Sequence, residues 1–473
     1  MWIDLFIPLI PHSAFRIPNS AFLKPPFGID NSEGGEINIE WPKEEKVNRM
    51  LDEYYELRGW DPNGIPYSMH QISSTKQGGV KMKKTLCLTL ILLFALGSLA
   101  FAQNTVKIGV VGPRTGPAAA TGKAFEEGIA IALDHLNAKG GVMGKKVEVV
   151  FEDTGGVPEK AASALERLAT REKVPIVVGE SHSSSALAEI EVANRYKIPL
   201  IICEAWHDDI TQKGYKWVFR AGPANSGVVD FYIAPFVKAN GFKKAAIVRE
   251  NSDWGAGIAE RTEMNLKNMN IPFVTLKVER ESKDFYTELT KLKGENPDII
   301  LAYIYGTGLH FFISQASEVG LSPKALILDG AGPPSLWDSF WKNVGNAGEL
   351  ELFMSSMHEK VHLTPTSRKF WDDYVKKYGK APTDYKTRSI YNVVLIAADA
   401  INRAKSTNPE ALVAALEKTN LEVTTGMVKF GLKQGSYEYH QWMPPMLVVQ
   451  WQNKQQVVVY PKEGATGPLK KTK

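Results

Sequence analysis

Residues 173–185 read KVPIVVGESHSSS, and the fold turns on this stretch. Ile176, Val177 and Val178 form a short run of β-branched residues, the composition of a strand buried on both faces of a parallel sheet. Gly179 ends it. Glu180 to Ser185 then lead into a helical spacing carried by Ala186, Leu187, Ile190 and Ala193. A strand therefore delivers hydroxyls and backbone N–H groups to the first turn of a helix. Such a turn carries unpaired donors and partial positive charge, so it suits a carboxylate or another small anion. Taken alone, one serine capping the helix is the simpler reading. The rest of the chain shifts that weighting.

Outward from this stretch the same unit repeats. Val106, Ile108, Val110 and Val111 read as a strand, followed by the turn-rich loop PRTGPAAATG and a helix from Phe125 to Leu136. Val147 to Phe151 is a second strand, Ala161 to Leu168 a helix, and Pro199 to Ile202 a strand beyond the helix that ends at Tyr196. This alternation predicts a parallel sheet covered on both faces. The pattern restarts near Gly222, with strands at Ala245–Val248, Val274–Val278, Ile299–Tyr303 and Ala325–Leu328 between helices. Three helices follow with no strand between them, Ser367–Tyr378, Ser389–Ala404 and Pro409–Lys418. The chain closes on Val428–Phe430, Leu447–Trp451 and Val457–Tyr460, an antiparallel-looking ending. The expected fold is α/β, two doubly wound lobes, with 103–223 and 353–428 in lobe 1 and 224–352 and 429–473 in lobe 2. Crossovers are expected near Gly222–Ser226, Leu350–Ser355 and Thr425–Phe430.

Composition agrees with a soluble globular chain of two or three domains: 473 residues, 44% apolar and 23% charged. A net charge of +4 argues against a nucleic-acid surface. Cys87 and Cys203 are the two cysteines, so neither a zinc-type spacing nor a disulfide framework is available. Cys203 ends an apolar strand and reads as a buried thiol.

Met82 opens a secretory leader, 82–102. Lys83 and Lys84 are its basic part, Leu86 to Leu96 its apolar run, and Ala100-Phe101-Ala102 its small-residue cleavage site. The apolar run is short for a membrane span. The expected mature chain is Gln103 to Lys473, exported. Residues 1–81 are rich in proline and aromatics and read as an extraneous extension ahead of a wrongly placed start. Within them EEKVNRMLDEYYELRGWDPNG, residues 44–64, is similar to the carboxy-terminal tail of aldehyde ferredoxin oxidoreductases. None of that family's cluster-binding cysteines accompany it, so no enzymatic role is assigned.

The mature chain resembles leucine/isoleucine/valine-binding-type periplasmic solute-binding proteins of ABC transporters. The words that carry the resemblance are IGVVGPRTGP, LDHLNAKGGVMGKKVEVVFED, IVVGESHSSSA, KIPLIICEA, FRAGP, AAIVRENSDWGAGIAE, DFYTELTKLKGENPDIILAY and QASEVGL. The resemblance implies a type I periplasmic binding protein fold with three hinge crossovers. It implies a monomeric periplasmic receptor that closes on a small ligand and hands it to an ABC transporter permease, without a cofactor.

Position by position, the resemblance implies that Ser183 holds a ligand carboxylate and that Glu204 acts through its backbone. Trp254 and Tyr305 are the aromatics of the second lobe, and Asp329 pairs with a ligand ammonium. Thr121 stands where an aromatic often lies on the ligand side chain. Trp206 replaces a threonine that contacts both ligand poles, and there it shrinks the pocket or stacks on a planar ligand. A branched-chain or other apolar amino acid is the first choice of ligand. A short amide or an aromatic carboxylate is the alternative, as is a ligand-sensing domain not tied to transport.

Enzyme readings are weaker. GVVGPRTG lacks the G-x-G-x-x-G spacing of a dinucleotide loop. GESHS lacks the second glycine of a nucleophile elbow. His207 with Asp208 and Asp209 reads as a charged loop rather than a metal site. His358 and His362 read as surface residues, and Trp337 and Trp341 as one packed helix face.

Overall fold

The computed structural model describes residues 105–472, apart from 362 and 435–437. The extension at 1–81, its 44–64 segment, the leader at 82–102 and His362 lie outside the described residues. In chain order the strands are β1 (Thr105–Gly112), β2 (Lys146–Asp153), β3 (Val177–Gly179), β4 (Leu200–Ile202), β5 (Val218–Ala221), β6 (Ala245–Glu250), β7 (Phe273–Val278) and β8 (Ile299–Tyr303). They continue with β9 (Leu326–Asp329), β10 (Leu352–Ser355), β11 (Leu421–Val423), β12 (Gly426–Val428), β13 (Gln441–Trp442), β14 (Leu447–Gln452) and β15 (Gln455–Tyr460).

Two sheets form. The first runs β13-β5-β4-β3-β1-β2 and is parallel throughout. The second runs β15-β14-β10-β9-β8-β6-β7, parallel from β7 to β10, with β14 and β15 added antiparallel. Both sheets wind alike: β1 lies between β2 and β3, and β6 between β7 and β8. In such a sheet a crevice opens beyond the strand carboxyl ends where the winding reverses. That point is β1/β3 in one lobe and β6/β8 in the other.

The strands β5 and β10 were not expected. β10 keeps the chain in the second sheet through Ser355, so the return to lobe 1 follows Ser355 rather than preceding it. The third crossover is also corrected. Thr425–Phe430 does not leave lobe 1, because β12 pairs with β11 in a ribbon of their own. Gln441 and Trp442 then join the first sheet beside Arg220 and Ala221. The chain passes to the second sheet between Trp442 and Leu447. A two-residue strand has too little periodicity to read; a buried pairing of the Arg220 guanidinium with the Gln441 side chain anchors it.

The late helices cover the first lobe. Helix Lys386–Ala404 lies against helix Ala119–Ala138, and Gly128 permits the approach: a Cβ there would sit 2.0 Å from the Thr387 carbonyl oxygen. The His135 Nδ1 and Tyr391 hydroxyl add a hydrogen bond of 2.8 Å. This packing fixes where the first residue of the later helix, Lys386, emerges.

Candidate ligand-binding site

One cavity, partly open to solvent, is lined from both lobes. Its first wall is built at the end of β3. Gly179 has φ 129°, and a Cβ there would lie 2.1 Å from the Val111 carbonyl oxygen, so glycine alone fits. Glu180 follows at φ 52°, a left-handed conformation rare for a side chain of its size. Its carboxylate compensates by accepting the N–H groups of Ser181 and His182, each at 2.8 Å. Burial pushes the Glu180 pKa up, but its bonds to His182 and Ser181 hold it below the ordinary value. The loop so shaped hands the chain to helix Ser183–Tyr196.

Ser183 Oγ accepts the N–H groups of Trp206 at 3.2 Å and His207 at 3.1 Å. Both lone pairs are used, and the hydroxyl proton remains to be donated. The Trp206 indole N–H donates to Glu204 Oε2 at 3.0 Å, and the ring stands edge-on to Trp254, 6.2 Å between centroids. Glu204 does more than act through its backbone. Its buried side chain lines the cavity and also accepts from Ser389 Oγ, and burial pushes its pKa up to about 7.

The second lobe contributes Trp254 after β6 and Tyr305 after β8. The Tyr305 N–H donates to Glu250 Oε2 at 2.8 Å. The Tyr305 hydroxyl reaches across to the first lobe, accepting from Lys386 Nζ at 2.8 Å and sharing a bond with Thr121 Oγ1 at 2.5 Å. Thr121 is fully buried behind Tyr305 and does not itself line the cavity.

Asp329 is a correction. It is fully buried and does not line the cavity. Its carboxylate accepts the Ala331 N–H and the Ser335 hydroxyl, both at 2.8 Å. Burial raises its pKa to about 6. Glu351 lies 2.6 Å from the same hydroxyl, and burial together with the charge of Asp329 pushes its pKa well above the ordinary value. The acid expected to meet a ligand ammonium is thus spent inside its own lobe.

Sequence reasoning missed three charged groups that line the cavity: Glu250, Arg280 and Lys386. Glu250 ends β6 and Arg280 follows β7, so position at a strand carboxyl end was the available signal. Lys386 had another. A cation as the first residue of a helix opposes the helix dipole, which marks it as placed for something else.

The profile of the family described as "Periplasmic binding protein" matches residues 105–456, and the chain belongs to that family. The Leu/Ile/Val-binding protein homolog 7 of Brucella melitensis is 26% identical over 387 residues, covering 79% of this chain and 96% of that one. The leucine-binding protein LivK of Thermotoga maritima superposes with a TM-score of 0.67 at 26% identity, over 75% of this chain and 97% of that one. The branched-chain amino acid transporter substrate-binding protein LivJ of Streptococcus pneumoniae, solved in complex with isoleucine, gives 0.67 at 27% identity, over 76% and 100%. The fold is the type I periplasmic binding protein fold. The chain is accordingly a solute-binding receptor of the ABC-transporter class, a periplasmic family of binding proteins rather than of enzymes.

Proposed function

We propose that the chain captures a small ligand with a carboxylate end and an apolar body between its lobes, and that a branched-chain or other apolar amino acid is that ligand. The observation that carries the reading is Ser183: a hydroxyl with its proton to spare, at the start of a 14-residue helix, facing Trp206, Trp254 and Tyr305 across one cavity. The relatives named for leucine, isoleucine and valine support it. In this reading Ser183 and the first-turn N–H groups take the carboxylate, and the three aromatics enclose the side chain. Glu250 replaces Asp329 as partner of the ammonium, while Glu204 and Thr121 hold Trp206 and Tyr305 in place. The loaded receptor docks on its permease as a monomer, uses no cofactor and catalyses nothing. It reaches the periplasm through the leader at 82–102, so that the mature chain starts at Gln103.

The lobes are read as 105–221 with 365–442, and 225–355 with 447–460. The three passages between them form the hinge, because a ligand touching Ser183 and Tyr305 together needs both lobes close. An aromatic carboxylate is the second reading, favoured by the withdrawal of Asp329 and by the paired indole rings. Titration calorimetry with leucine, isoleucine, valine and benzoate tests both. Binding of at least one amino acid with a raised melting temperature is expected. Heat from benzoate alone moves the assignment to the second reading, and heat from none refutes the ligand class.

A further inference from the structure

The Lys386 side chain lines the cavity, and the residue is 4% exposed. An ammonium carries three N–H donors. One goes to the Tyr305 hydroxyl at 2.8 Å, and among the described residues Nζ has no further hydrogen-bond acceptor and no ion pair. Burial opposes the ammonium, but Asp384 and Glu204 favour it through their charge and its pKa is raised; the hydrogen bonds of these acids go to other donors. Asp384 accepts the Lys386 backbone N–H at 2.8 Å and the Trp337 indole N–H at 3.3 Å. Glu204 is taken by Ser389 and Trp206, and Glu250 Oε2 by the Tyr305 N–H. Two N–H donors of this ammonium remain open in the cavity, and an anion is the partner that takes them with the strongest hydrogen bonds.

Arg280 comes to the same cavity from the second lobe. It is half-buried and makes no hydrogen bond or ion pair among the described residues. His182, also in the lining, has a buried Nε2 without a hydrogen-bond partner. The cavity therefore brings one cation from each lobe to a shared space.

We propose that Lys386 sets the charge of the ligand: its two open donors take a carboxylate oxygen, and its third, through Tyr305, ties that carboxylate to the second lobe. This rests on the receptor reading above and narrows it. Ligands must be anionic at this end, with or without an ammonium, and neutral amides are rejected. An anion between Lys386 and Arg280 also offsets the repulsion that closing the lobes creates.

The test uses matched probes on the purified protein: leucine, leucinamide, 4-methylpentanoate, benzoate and benzamide. At least one carboxylate is expected to bind at least 100-fold more tightly than its amide. Lys386→Met should weaken the carboxylate at least 30-fold and reduce the carboxylate-to-amide ratio below 10, whereas Lys386→Arg should keep most of that ratio. Arg280→Gln should weaken the same carboxylate about 3- to 10-fold. Unchanged carboxylate affinity in folded Lys386→Met overturns the inference and leaves the receptor reading intact. Amide binding without carboxylate binding, or no binding of any probe, overturns both. Should Lys386→Met lose its thermal transition, the parent ratio decides: a value near one overturns the proposal.

Discussion

β4 and β9 occupy the same place in their two sheets, and each ends on a buried acid. Glu204, just past β4, lines the cavity and is held by two side-chain donors, Ser389 and Trp206. Asp329, the last residue of β9, is closed off by a backbone N–H and the Ser335 hydroxyl. The loops make the difference. After β9 the chain turns back at Gly332, φ 86°, where a Cβ would lie 1.8 Å from the Met354 carbonyl oxygen, and the turn folds Ala331 and Ser335 onto the acid. After β4 the chain continues outward, and the N–H groups of Trp206 and His207 go to Ser183 instead. A carboxyl at a strand end comes to face the cavity only where its own loop does not fold back over it.

The largest expected effect would break the comparison if it failed. Asp329→Ala strands the Ala331 N–H and leaves the Ser335 hydroxyl with Glu351 alone, and should cost about 3–4 kcal/mol of stability in urea unfolding. Ligand affinity of the folded variant should stay within about twofold, since Asp329 does not line the cavity. Lost affinity at undiminished stability would return Asp329 to the ligand.

Next comes the pH dependence of Glu204. Its pKa rises from 4.5 to about 7 on folding, so the folded state binds the extra proton. Its contribution is fully present below pH 4.5, is lost as pH rises toward 7, and is flat above, a change of about 3 kcal/mol at most. Glu204→Gln should flatten that part of the melting-temperature profile. Asp329, Glu189 and Glu351 share the sign, so a slope remains. A variant profile identical to the parent would show that Glu204 is ionised throughout.

The smallest effect sharpens the contrast from the open side. Ser183→Ala removes the donor facing the cavity and the acceptor of two backbone N–H groups. Affinity should fall by about 1–3 kcal/mol, roughly 5- to 150-fold in Kd, by calorimetry. Full retention of affinity would mean that the helix N–H groups and Lys386 hold the carboxylate without the hydroxyl.

Much of this architecture was legible because it is written in short-range pattern. Ile176 to Val178 as a buried strand, Gly179 as its stop and Ser183 at the head of a helix need only periodicity and the chemistry of glycine and helix starts. The alternation of strands and helices in each lobe was readable for the same reason. β5, β10 and β13 were not, because each is two to four residues long and owes its existence to neighbours already in place. The third crossover moved with β13.

The local sequence determined a doubly wound α/β chain, the loop that carries Ser183, and the aromatic residues Trp206, Trp254 and Tyr305. Only the tertiary structure decided which charges line the cavity. Whether Asp329 is exposed depends on the turn at Gly332. Lys386 reaches Tyr305, 81 positions earlier in the chain, because Gly128 lets one helix lie close on another. Hydrogen-bond saturation and long-range packing are properties of the assembled neighbourhood. A single residue type in a linear string fixes neither, since the same carboxylate is a ligand group or a structural one according to which donors arrive first.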